Sequence, residues 1–65
     1  MNEFYVEKRA NENDAHVVHK GNCPSLPEMS KLHFIGVRNN SSAPLREAAH
    51  YWYSASAPCP VCMAG

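Results

Sequence analysis

His19-Lys20-Gly21-Asn22-Cys23 and Cys59-Pro60-Val61-Cys62 are the two places where residue type and spacing together could do chemistry. Read as H-x3-C and C-x2-C, they supply one imidazole and three thiols. That is a complete tetrahedral set for zinc, of the closed kind that leaves no position open for catalysis. All three cysteines of the chain are used. Iron also occupies thiolate-rich sites, so ligand type names zinc first and iron second. The plainer alternative is three ordinary buried cysteines and a surface histidine. His16, three residues before His19, competes with it as fourth ligand, but alternation along a strand turns the two to opposite faces. His33 and His50 lie outside either half-site. The expected ligands are therefore His19, Cys23, Cys59 and Cys62. Cys59 and Cys62 should form a tight knuckle whose backbone N–H groups help hold the thiolate charge.

Other chemistries fit less well. A C-x2-C pair serves dithiol redox when its first thiol sits at a helix N-terminus, which lowers its pKa. Only Met63, Ala64 and Gly65 follow Cys62, so no helix is expected there. Tyr51-Trp52-Tyr53 could be a stacking platform for bases. Three consecutive helical residues point in three directions, however, and Trp52 is assigned to the core. The chain shows no Ser/His/Asp set and no paired carboxylates in a recognisable context. With three glycines it has no phosphate-cradling loop. No catalytic residue is expected, and the protein is not read as an enzyme.

The elements must bring residue 23 to residue 59 across a very small domain. A 65-residue chain buries only about 60% of its unfolded surface and commonly needs a staple. An odd number of cysteines leaves one over in a disulfide framework, whereas a metal uses all three. Met1-Asn2-Glu3-Phe4 has no leader pattern, and no apolar run reaches the length of a membrane span. A reducing cytoplasm is the expected setting. Six basic residues balance six acidic ones, for a formal net charge of zero. Zinc on three thiolates would leave the folded protein at about minus one. Lys8-Arg9 is the one adjacent basic pair, so nothing demands the basic stripe of a phosphate-binding protein.

Phe4 to Arg9 opens aromatic and β-branched, and His16 to His19 is a second short strand, so residues 4 to 19 read as a β-hairpin across the polar turn Asn11-Glu12-Asn13-Asp14. Leu32-His33-Phe34-Ile35-Gly36-Val37 is a third, apolar strand. Asn39-Asn40-Ser41-Ser42 offers a helix cap, and Pro44 suits a first turn. Leu45, Ala48, Ala49 and Trp52 then fall at i, i+3, i+4 and i+7, one buried helical face. Ser54 to Pro58 breaks the helix and delivers Cys59. The expected fold is one α+β domain over residues 1–65, with two or three short antiparallel strands and one helix packed across them. Its expected core is Phe4, Val6, Val18, Phe34, Ile35, Leu45, Ala49 and Trp52.

His19 and Cys23, Phe34-Ile35-Gly36, Glu47-Ala48-Ala49 with Tyr51-Trp52-Tyr53, and Pro58-Cys59-Pro60-Val61-Cys62 together resemble the zinc-binding module at the N-terminus of the Ada DNA-repair methyltransferase. Similar modules occur on bacterial nucleases and in small bacterial proteins. The resemblance spans roughly residues 16 to 62 and implies a zinc scaffold. It departs at one place: the family's methyl-accepting cysteine corresponds to His19, whose imidazole has no free lone pair for attack while it holds zinc. The repair chemistry is therefore not carried over. The expected function is a monomeric, non-catalytic zinc module that recognises another macromolecule, with a protein partner ahead of nucleic acid. The alternatives are a nucleic-acid binder of Ada-like ancestry and, behind it, a thiol-redox protein.

Overall fold

The computed structural model describes residues 2–63. Met1 lies outside them, as do Ala64 and Gly65, part of the stretch after Cys62 where no helix is expected. Among the described residues no helix is long and apolar enough to cross a membrane.

The hairpin forms from β1 (Asn2–Glu7) and β2 (His16–Lys20), paired antiparallel with Tyr5 opposite His19 and Val6 opposite Val18. Its connecting turn is organised by Asn11, whose Oδ1 accepts from the backbone N–H groups of Asn13 (2.8 Å) and Ala15 (3.0 Å). β3 (Leu32–Arg38) runs antiparallel along the other side of β1. Helix α1 (Ser42–Tyr51) follows, and the chain returns through β4 (Ser56–Pro58), which pairs parallel to β2. The sheet order is β3-β1-β2-β4. The fold is thus α+β with one helix on a four-stranded mixed sheet, and β4 is an addition to the antiparallel strands expected from the sequence. Ser56-Ala57-Pro58 has no β-branched residue to mark it as a strand. Pro58 fits there because an edge strand has one side on which a missing N–H costs nothing.

Phe4, Val6, Val18, Ile35 and Ala48 are buried in one contiguous cluster that also takes in Cys23, Cys59 and Met63. The expected core needs correction at three points. Phe34 is 52% exposed, because β3 carries a bulge: Phe4 pairs with Gly36 and Tyr5 with Phe34, which leaves Ile35 without a partner. The extra residue sends Ile35 into the core and leaves Phe34 beside Tyr5, ring centroids 5.4 Å apart. Gly36 supplies the positive φ of +148° that the bulge requires.

On the helix, Pro44 and Ala48 form the fully buried stripe, while Leu45 and Ala49 flank it half-buried. Trp52 is 37% exposed, since α1 ends at Tyr51. The N–H groups of both Trp52 and Tyr53 turn back onto the Ala48 carbonyl. Tyr53, one residue on, packs against the core instead. At the other end Asn40 caps the helix, its Oδ1 accepting from the Ala43 N–H at 2.9 Å. Arg38 at the end of β3 ties the helix to the sheet through Glu47, with Nε donating to Oε2 at 2.7 Å.

Candidate metal centre

The site is built where β2 and β4 end side by side. The parallel register pairs Val18 with Pro58, and the Cys59 N–H carries the ladder one residue further by donating to the Val18 carbonyl at 3.0 Å. That step sets Cys59 beside His19. Val18 and His19 are consecutive, and both are buried. Neighbouring strand residues point to opposite faces, so β2 is covered on both faces at this point. Beyond His19 the chain turns at once. Gly21 N–H donates to the Glu3 carbonyl (2.8 Å) and Cys23 N–H to the Lys20 carbonyl (3.1 Å), which folds Cys23 back onto the strand end. A Cβ on Gly21 would lie 3.3 Å from that of Glu3, so the turn has little room for a larger residue.

One ligand atom from each of His19, Cys23, Cys59 and Cys62 lies within 4.8 Å of all the others. The four are placed to bind a metal ion. All three cysteines are free thiols, and Cys23 Sγ lies 3.9 Å from Cys59 Sγ. A disulfide would need about 2 Å. Zinc–sulfur bonds of about 2.3 Å in a tetrahedron set sulfurs about 3.8 Å apart, so the observed separation suits two ligands of one ion.

The C-terminal pair forms a knuckle. Met63 N–H donates to the Cys59 carbonyl at 3.0 Å, and Lys20 N–H donates to Cys62 Sγ at 3.2 Å. Burial pushes the Cys59 thiol up, but the N–H groups of Cys62 and Val61, with help from the Cys62 and Cys23 thiols, bring it down to about 7. Burial pushes Cys62 up to about 11 against the Lys20 N–H, and the Cys23 and Cys59 sulfurs add to the rise. The shifts oppose each other because backbone N–H groups favour the Cys59 thiolate, while burial first and the neighbouring sulfurs second disfavour that of Cys62. A divalent cation removes that conflict, because coordination deprotonates thiols outright.

His19 completes the set. It is 4% exposed, and its Nε2 lies 2.6 Å from Glu7 Oε2. Its Nδ1 is buried with no hydrogen-bond partner. A buried polar nitrogen left unpaired costs roughly 1–3 kcal/mol, and a metal at the thiol cluster would supply the missing partner. The other histidines are engaged elsewhere. His16 Nδ1 donates to the Glu7 carbonyl at 2.9 Å while its ring stacks on Tyr53 (centroids 3.6 Å, planes 3° apart). His33 Nε2 lies 3.0 Å from the Tyr53 hydroxyl. His50 sits on the exposed side of the helix.

Glu7 is the participant that sequence reasoning missed. It lies two residues beyond Tyr5, the register partner of His19, and reaches the ring along the diagonal that such pairs share. A strand pattern places residue 7 on β1, but only the hairpin register reveals which histidine it meets.

Comparison with known proteins found no matching family model, no matching curated protein and no matching solved structure.

Proposed function

We propose that this chain is a structural zinc domain without catalysis of its own, in which His19, Cys23, Cys59 and Cys62 bind one zinc ion and the clipped fold serves to recognise another macromolecule. Two facts about His19 carry the reading: its Nδ1 is buried and unpaired, and its ring offers a nitrogen within 4.8 Å of three cysteine sulfurs. Four protein ligands fill a tetrahedron and leave no site for a reacting water. The ion would join β2 and the turn after it to the knuckle, closing the loop from Cys23 to Cys59 that carries β3, α1 and β4. In so small a fold, zinc binding energy is largely folding energy. Such a site keeps its thiols in a reducing compartment, and the cytoplasm is the proposed setting. A net charge of zero puts a protein partner ahead of nucleic acid.

Native mass spectrometry beside a denatured, acidified sample tests the metal. The expected result is a mass gain of one zinc, lost together with the fold when a chelator is added. A folded, metal-free protein would overturn the reading.

One observation favours the second reading, a nucleic-acid-binding module of Ada-like ancestry. Lys8 N–H donates to the Lys31 carbonyl at 2.9 Å, so Lys8 and Lys31 meet at one end of the sheet, next to Arg9 in sequence. His33 is two residues along β3, and its ring lies 5.9 Å from that of Trp52. Basic residues on strand ends near aromatic ones would suit single-stranded nucleic acid if their side chains share a face. An electrophoretic shift with single-stranded DNA or RNA at low salt, abolished by Lys8→Glu with Lys31→Glu, would move this reading to the front. No shift removes it.

A further inference from the structure

We infer that Glu7 is the positioning residue of the metal centre: its carboxylate takes the proton on His19 Nε2 as a hydrogen bond, so His19 binds the metal through Nδ1. The inference rests on the metal reading and goes beyond it by assigning the ligating atom and the group that selects it.

A neutral imidazole carries one N–H and one lone pair, and the partner of one nitrogen decides the role of the other. Glu7 Oε2 is 2.6 Å from Nε2, a charge-assisted distance. A carboxylate only accepts, so the proton is on Nε2 and the lone pair is on Nδ1. Nδ1 is the nitrogen that is buried and unpaired. The ring nitrogens face away from each other, which puts Glu7 on the far side of the ring from the ligating atom and outside the ligand set. A carboxylate–histidine–metal relay fixes the ring and raises the basicity of the ligand.

Glu7 is itself held in place. Its backbone carbonyl accepts from His16 Nδ1 at 2.9 Å, and the His16 ring is stacked on Tyr53. Two histidines of β2 thus grip one residue of β1, His16 at the main chain and His19 at the carboxylate.

The test is a long-range 1H–15N correlation spectrum of the zinc-loaded protein, in which the shifts of the two His19 nitrogens distinguish the coordinated one from the protonated one. Expected are a coordinated Nδ1 and a slowly exchanging Nε2–H. Zinc bound through Nε2, with the proton on Nδ1, would overturn the inference and leave the metal reading standing. A chain that binds no zinc overturns both. Competition with a chromophoric chelator supplies the second readout. Glu7→Ala should lower zinc affinity about 10- to 100-fold. Glu7→Gln keeps an acceptor for Nε2–H, so it should lose less affinity and keep the Nδ1-bound spectrum, and Glu12→Gln in the exposed turn should match the parent. Parental affinity and unchanged Nε2–H exchange in both Glu7 variants would overturn the inference.

Discussion

The two ends of β2 hold histidines three residues apart, and both touch Glu7, yet they are finished by different means. At the His16 end the protein supplies a backbone carbonyl for Nδ1 and the Tyr53 ring for the imidazole face. At the His19 end the protein supplies one partner, the Glu7 carboxylate for Nε2, leaves Nδ1 buried and unpaired, and gathers the histidine with three thiols. The first end is stable as built. The second contains crowded sulfurs and an unpaired nitrogen, and under the proposed function a cation would complete it. In a small domain, an end that is costly without its ligand makes the whole fold depend on that ligand.

The largest effect should come from removing a thiol at the metal end. Cys59→Ser should abolish cooperative folding at neutral pH, because zinc in comparable small modules contributes apparent binding energies of about 10–16 kcal/mol. Circular dichroism and one-dimensional NMR check this, and a native-like spectrum without metal would erase the distinction between the ends. His19→Ala should come next, leaving a three-thiolate site that binds zinc more weakly and unfolds at a lower chelator concentration. His16→Ala sharpens the comparison. It should retain one zinc by mass and lose only stacking and one hydrogen bond, about 1–2 kcal/mol by urea denaturation. If His16→Ala costs as much metal as His19→Ala, the two ends are not distinct.

The smallest effect should come from Glu47, remote from both ends. Its hydrogen bond from Arg38 holds the carboxyl below the usual range despite the opposing effect of burial, with the Arg38 and Arg46 charges helping. A carboxylate with a lowered folded-state pKa stabilises the fold above its ordinary pKa, and that stabilisation is lost as pH falls through the lowered value. Glu47→Gln should therefore lower the melting temperature slightly at neutral pH. The difference should close in acid, measured on the metal-loaded protein down to the pH at which metal is released.

The metal corner was easier to read from sequence than the sheet that carries it. H-x3-C and C-x2-C announce themselves through residue type and spacing, and strand alternation was enough to separate His19 from His16 as the two faces of one strand. Helix α1 was legible because Pro44 and the apolar spacing mark its start and its period, though its buried stripe runs through Pro44 and Ala48. Its end was not: the turn of Trp52 and Tyr53 back onto the Ala48 carbonyl exchanged the roles of two neighbouring aromatics. β4 escaped because parallel pairing to β2 is a long-range event that Ser56-Ala57-Pro58 does not signal locally. The bulge at Ile35 and the reach of Glu7 to His19 are both matters of register. Register is set by turns and packing, which local composition does not reveal.

The central claim is that one zinc ion sits among three sulfurs and one histidine nitrogen. X-ray absorption at the zinc edge of the purified protein tests it most directly. The predicted first shell is three sulfurs at about 2.3 Å and one nitrogen at about 2.0–2.1 Å, with the outer-shell scattering of a single imidazole ring. A shell with fewer sulfurs, with oxygen from water, or with no imidazole scattering would contradict the account.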